Sequence, residues 1–305
     1  MKHLQVFRCI ADIARRGSIR RSAEHLHITP SALTRKIQEF EEEFGTPIFE
    51  RLPRGMRLNA AGELLMRHIQ DQLADFERLC SQVADLSGIR RGHVSLACSQ
   101  AFTDSVLPDE IAAYRAQFPQ VSFSVAVRDH AEGVKTLVNF EADLALLLDP
   151  PLVCDLEELL VMRHPLCAVM SAAHPLAQHN RVRLRDCCEF PLAMPDQSLA
   201  IRALFDKALY GRQVELDVPV ESGSLEFLRA YVLRDNAITF QIQHGVPCAD
   251  ERICVRPIDT RDIAPIRVVL SKLKGRSLPL ATERFAALFC EHWADGNRPP
   301  ESNKS

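Results

Sequence analysis

The chain has 305 residues, 47% apolar and 25% charged, with a net charge of −3, a composition that excludes a disordered or collagen-like protein. No run approaches the roughly 18 uninterrupted apolar residues of a membrane-spanning helix. Asp12 and Arg15 interrupt the start where a secretory signal needs an apolar core, so a cytoplasmic protein is expected. The charge is unevenly spread. Residues 1–58 hold 11 Lys/Arg against 7 Asp/Glu, and the remainder 26 against 33. A basic head on an acidic body points to a polyanion as partner of the head alone.

In chain order, Leu4, Phe7, Ile10, Ala11 and Ala14 recur at helical spacing, and Gly17 supplies a left-handed cap. Ser18 caps a second helix, Ile19 to Leu26, with Ala23 as the small residue that lets two helices approach. His27-Ile28 form a turn. Thr29-Pro30 then combine an N-cap with the one helical position where the missing proline N–H costs nothing. Leu33, Ile37, Phe40 and Phe44 give this third helix an apolar face, and Ser31, Thr34, Arg35 and Lys36 lie opposite, close to its N-terminus. Small hydroxyls and cations at the leading end of a short helix suit the major groove of duplex DNA.

Gly45-Thr46-Pro47 stops that helix. Ile48–Arg51 and Met56–Leu58 flank Pro53-Arg54-Gly55, a compact hairpin signal, and Arg51, Arg54 and Arg57 are placed there to neutralise backbone phosphates. Asn59 opens a long helix to about Leu86. Along it Leu65, Ile69, Gln72, Phe76, Leu79, Val83 and Leu86 step by four and three, a heptad seam with one polar position. At ~1.5 Å per residue the rod measures roughly 40 Å. So long and narrow a seam is expected to pair with a second copy.

After Ser87-Gly88 the pattern changes. Strands are expected at Val94–Cys98, Val121–Val127, Asp143–Leu148, Leu166–Met170, Leu216–Val220, Ala237–Ile242 and Ile266–Leu270. Helices are expected at Ser105–Phe118, Ala131–Asn139, Leu199–Tyr210, Leu225–Leu233 and near Thr282–Trp293. This alternation predicts α/β units with mostly parallel sheets. The polar tail after Asp295 is expected to fray.

The run RRSAEHLHITPSALTRKIQEFEEEFGTPIFERLPRGMRLNAAGELL resembles the N-terminal winged helix-turn-helix of LysR-type transcriptional regulators. RGHVSLACSQAFTDSVLPDEIAAYRAQFP is similar to the first strand-loop-helix of that family's effector domain, and HPLCAVMSAAHPLA and EFPLAMPDQS to landmarks of its second subdomain. The resemblance implies a multidomain fold: a winged helix-turn-helix (1–58), a dimerising linker helix (59–90), and a two-lobed α/β effector domain similar to periplasmic binding proteins (91–295). Lobe one would be 91–163 plus 267–295, lobe two 164–266, and 296–305 a flexible tail. It implies a regulator that binds a duplex operator as homodimer or homotetramer and takes a small-molecule effector between its lobes; effector binding is then expected to alter contact with one half-site, the bend in the DNA, or access by RNA polymerase. By position, Thr29, Pro30, Ser31, Thr34, Arg35 and Lys36 would contact DNA, with Arg51, Arg54 and Arg57 in the wing; Pro30 stands where the family often has glutamine.

In open α/β lobes ligands sit at strand C-termini, where helix N-termini aim N–H groups at anions. The candidates are Cys98, Ser99 and Gln100 after the first strand, Arg128 and Asp129 at the end of the second, and the run Pro195, Asp196, Gln197 and Ser198, with Ser222, Gly223, Ser224, Phe240 and Gln241 closing the other side. Hydroxyls and a cation there fit a small organic acid. No G-x-S-x-G, Walker or G-x-G-x-x-G motif is present, so neither catalysis nor a resident cofactor is expected. Ten cysteines without C-x-x-C spacing imply reduced thiols. Two alternatives remain. One is a thiol switch at Cys98 with Cys187, Cys188, Cys248 or Cys254 as partner; the other is a solute-binding protein with no regulatory role. His164, His174 and His179 with Cys167, Cys187 and Cys188 match no zinc spacing.

Overall fold

The computed structural model describes residues 2–52, 55–86, 91–152, 155–211, 215–246 and 250–294. The head comprises α1 (Lys2–Arg16), α2 (Ile19–His25), α3 (Pro30–Phe44) and the hairpin β1 (Phe49–Leu52) and β2 (Gly55–Leu58), followed by α4 (Ala60–Leu86). Its helices start where the caps predict. Ser18 accepts from Arg21 N–H and Thr29 from Ala32 N–H, while Gly45 ends α3 at φ +85°. Gly17, at φ +64°, closes α1, and its carbonyl receives the Met56 N–H at 2.9 Å. A side chain at Gly55 would run into that carbonyl, so the wing lies flat against the end of α1. Beneath the turn, the Asp12 carboxylate accepts from Arg15 and Arg16 and pairs with His25 at 3.0 Å. Burial alone would raise its pKa, but the arginine hydrogen bonds outweigh burial and hold it below the usual carboxylate range. His25 is thus a tie between α1 and α2, a role beyond the surface packing its exposed position suggests.

The head's core contains Ile10, Ile13, Leu33, Ile37, Phe40 and Ile48, closed from below by Leu65, Met66 and Ile69 of α4. This divides the predicted seam. Leu65 and Ile69 are consumed by the core of their own chain and cannot serve a partner, and Phe76 is half-buried. Gln72 is exposed, as are Leu79 (54%) and Val83 (56%), so among the described seam positions the exposed apolar ones lie in the second half of the rod; the Leu86 side chain lies outside the described residues.

The body follows as β3 (Arg91–Cys98), α5 (Val106–Gln117), β4 (Gln120–Val127), α6 (His130–Val138), β5 (Leu144–Leu148), β6 (Leu156–His164), β7 (Leu166–Ser171), α7 (Leu184–Cys187), β8 (Ala193–Pro195), α8 (Ala200–Leu209), β9 (Val220–Ser222), α9 (Leu225–Val232), β10 (Thr239–Ile242), β11 (Ile253–Pro257), β12 (Ile266–Leu273) and α10 (Leu280–Trp293). Lobe one is built on a five-stranded sheet, β4-β3-β5-β12-β6, and lobe two on β10-β7-β11 with the small pair β8-β9. The chain leaves the first sheet at Pro165 and returns between Pro257 and Ile266.

The sheets are mixed rather than mostly parallel. β3 runs parallel to β4 and β5, but β12 lies antiparallel between β5 and β6, and β7 is antiparallel to both its neighbours. Because the chain re-enters lobe one from lobe two, β12 arrives from the opposite side and reverses the ladder. The strand expected at Leu216–Val220 begins only at Val220: Pro219 has no N–H to give a ladder, and Asp217 keeps one backbone bond, from Leu192 N–H at 2.8 Å. β6, β8 and β11 were not read from the sequence.

Ile69 is fully buried under the head. Ile69→Ala is expected to destabilise the head by about 2–5 kcal/mol, as large-to-small core changes do. Thermal melts of the full chain with a probe on α1 check this; an unchanged melt would place Ile69 outside the core.

Candidate functional site

The leading face of α3 is open. Thr29, Pro30, Ser31 and Arg35 are exposed and Thr34 and Lys36 half-exposed, while Leu33, Ile37 and Phe40 anchor the opposite face. The hydroxyls are partly engaged: Thr29 Oγ1 lies 3.2 Å from Ser31 Oγ, and Thr34 Oγ1 donates to Pro30 O at 2.8 Å. Arg35 Nε donates to Glu39 Oε1 at 2.7 Å, one turn along on an exposed surface. In the wing Arg57 Nε donates to Glu50 Oε1 at 2.7 Å across the hairpin register. Arg54 and the Arg51 side chain lie outside the described residues. Glu41, not read as functional, holds the wing to α3: its carboxylate receives the Ile48 N–H at 2.8 Å and the Phe49 N–H at 3.4 Å.

Between the lobes, the expected effector residues divide by what their side chains already do. Ser99 is fully buried; its hydroxyl donates to Asp129 Oδ1 at 2.5 Å and accepts from Leu148 N–H at 3.0 Å. Gln241 is fully buried too, donating to Leu225 O at 3.0 Å and accepting from Arg229 at 2.9 Å. In this arrangement both side chains are engaged within the protein. Ser198 closes a turn on Asp196, Ser222 accepts from Ser224 N–H, and Ser224 caps α9 through Phe227 N–H. Pro195 is buried, Gln197 donates to Asp206 at 3.2 Å, and the exposed Arg128 donates to the neighbouring Val127 carbonyl. Gln100 alone reaches across, its Oε1 accepting the Leu225 N–H at the start of α9 at 3.1 Å.

Asp129 is among the cleft candidates at the end of the second strand, whereas Arg229, Asp104 and Ser105, which join the lobes, were not read from the sequence. The N-cap of α8, Leu199, makes no side-chain cap hydrogen bond. Burial pushes the Asp129 carboxyl above its usual range, against the hydrogen bonds from Ser99 and His130 that favour the anion. Arg229, buried on α9, pairs with Asp104 of lobe one and donates to Gly245 O at 3.1 Å. Ser105 donates to His244 O. Nothing in the sequence singled out Arg229, whose partners lie 12 to 125 positions away.

The thiols sit deep. Cys98 belongs to the lobe-one core rather than a cleft mouth, and burial pushes it up to about 12, as it does Cys167. Cys187 and Cys254 are also raised by burial, and Cys248 lies outside the described residues. His164 stacks edge-on against His244 at 4.6 Å, and His174 accepts from Leu176 N–H, so these imidazoles are engaged within the protein.

Two regions of the chain match known families. Residues 1–63 match the bacterial regulatory helix-turn-helix protein, lysR family, and residues 87–294 match the LysR substrate binding domain. The chain belongs to the LysR family. It is accordingly a DNA-binding transcriptional regulator with an effector-binding domain. The HTH-type transcriptional activator CmpR of Synechocystis is 25% identical over 229 residues, covering 75% of this chain and 75% of CmpR. In fold, a full-length OxyR variant from Pseudomonas aeruginosa superposes with a TM-score of 0.72 at 20% identity, covering 94% of each chain. Full-length CbnR complexed with its target DNA gives 0.56 at 16% identity, covering 96% of this chain and 99% of CbnR. For this LysR-family chain, no described helix is long and apolar enough to cross a membrane.

The burial of the thiols makes a direct prediction. Only deprotonated, accessible sulfur reacts, so in the native protein Cys80, exposed on α4, is expected to be alkylated by iodoacetamide well before Cys98 or Cys167. Peptide mass spectrometry over a time course reads this. Early labelling of Cys98 would revive the thiol-switch alternative.

Proposed function

We propose that this regulator inserts α3 into the major groove of a dyad operator. Arg35 reads a base edge; Thr29, Pro30, Ser31, Thr34 and Lys36 fix the helix on bases and backbone; and Arg51, Arg54 and Arg57 of the wing take phosphates. The observation that carries this reading is the state of Arg35. Its one partner among the described residues is Glu39, an exposed pair one helical turn away, worth about 0.3–0.5 kcal/mol. A bidentate guanine contact is worth about 1–3 kcal/mol. The guanidinium therefore exchanges Glu39 for DNA with a net gain.

Two copies pair through the exposed half of α4, around Leu79 and Val83, as homodimer or homotetramer in the cytoplasm. A small organic acid enters between the lobes and competes for the Leu225 N–H that Gln100 now satisfies. A changed lobe angle alters the spacing of the paired recognition helices and with it access by RNA polymerase. Such a switch requires only about 1–3 kcal/mol of coupling between the two sites.

Selection from a random duplex library should recover a dyad bound by the wild type. Arg35→Ala, with unchanged circular dichroism, is expected to lose about 10- to 100-fold in affinity for it, the equivalent of one base contact, in fluorescence anisotropy. Equal affinity in the variant would remove Arg35 from the base-reading role, and no duplex bound by the wild type would remove α3 from DNA recognition.

A further inference from the structure

Lobe two carries a cavity of about 480 Å³ between α9 and the start of β11, a size that suits a small molecule. Its described wall holds three arginines, Arg229, Arg234 and Arg252, against one carboxylate, Asp250. Ala230, Leu233 and Ile253 supply apolar surface beside them. None of the residues expected in the interlobe cleft belongs to this wall.

Cations gathered at one cavity repel one another unless an anion lies among them, and the acid present is already committed. Asp250 accepts from Arg252 through Nε at 2.9 Å and Nη2 at 2.8 Å, and from the Arg252 backbone N–H at 3.1 Å. Arg234 pairs with no carboxylate among the described residues; its Nη1 donates to the Ala230 carbonyl one turn back, at 2.5 Å. Both of these side chains are exposed and open to an incoming anion. An exposed ion pair such as Arg252 with Asp250 costs little to rearrange.

Arg229 is placed differently. It is buried, and its Nη1 is fixed within lobe two by Gln241 Oε1 at 2.9 Å and Gly245 O at 3.1 Å. Its Nη2 is held by Asp104 of lobe one, whose own side chain is 46% exposed. The residue therefore belongs to the cavity wall and to the interlobe contact at once. An anion in the cavity that takes Nη2 takes it from Asp104.

We infer that this cavity is a second small-molecule site, built for an organic dianion. The charges of the ligand meet Arg229, Arg234 and Arg252, and its carbon skeleton lies on Leu233 and Ile253. Occupancy releases Asp104, so the site acts on the lobe contact from outside the cleft. Phosphate monoesters and dicarboxylates share this chemistry. Binding here does not depend on the effector-cleft reading above; the two sites share only the contact on which they act.

Isothermal titration calorimetry on the full chain, without DNA, tests this with phenyl phosphate and glutarate as probes. Saturable binding of either supports the site, and the tighter of the two identifies the preferred anionic group. Arg234→Gln and Arg252→Gln, each with unchanged circular dichroism, are expected to weaken that binding about 10-fold or more, the loss of one hydrogen bond between charged groups. Asp104→Asn removes the competitor for Arg229 and is expected to tighten binding about fivefold or more, the low end of ordinary coupling between sites. No saturable binding of either probe, or binding that both arginine variants leave unchanged, overturns the site. A probe lodged in the interlobe cleft gives that second result, so failure here is distinguishable from failure of the cleft reading. Equal or weaker binding by Asp104→Asn overturns the link to the lobes.

Discussion

A helix cannot satisfy the first N–H groups of its own backbone, and where this chain finds their partners determines which parts depend on one another. In the head the solution is local: Ser18, Thr29 and Asn59 each cap the helix that follows them. The head helices therefore start independently and meet through their apolar faces. In the body, the start of α9 draws its partner from the opposite lobe, the Leu225 N–H donating to Gln100. Separating the lobes exposes that amide and breaks the pair of Arg229 with Asp104. The lobes also share one apolar core, so their interface is polar only in part.

Much of this architecture was legible in the sequence because its signals are local. Thr29-Pro30, Gly17, Gly45 and the Pro-Arg-Gly hairpin specify backbone conformations within a few residues, and the structure places its elements accordingly. The strands β3, β4, β5 and β12 announce themselves through branched apolar runs. β6 does not: Glu157 and Glu158 beside Leu159 and Leu160 give no alternation, and its place comes from pairing with β12 through a register shift at Leu270/Ser271. β8 is too short to carry a period, and in β11 Arg256 and Pro257 break the apolar run. The interlobe contacts were harder still. Ser99 and Gln241 are polar residues at strand ends, the expected signature of a ligand site, yet their side chains are consumed by Asp129, Leu148, Leu225 and Arg229. Sequence position predicts that a polar group lies near a cleft; it does not predict whether the protein has already used it.

The heptad pattern of α4 shows the same ambiguity in apolar form. Leu65, Ile69, Leu79 and Val83 are indistinguishable by spacing, but the first two face the head's own core and the last two face outward. One periodicity serves two successive surfaces because a straight helix keeps a single apolar side along its length. Which surface occupies each turn is decided by the head's reach.

That sharing has a consequence for how such regulators are taken apart and recombined. The head's folding unit ends neither at Leu58, where its wing closes, nor at the end of the rod, but partway along an uninterrupted helix, past Leu73. A fragment cut at the wing leaves Ile10, Ile48 and Phe40 without a floor. A head exchanged between two regulators carries its recognition surface intact only if the splice falls inside the rod. Such a splice transplants part of the original pairing stripe's register with it. Recognition of DNA and choice of partner are therefore inherited together, since one helix belongs to both.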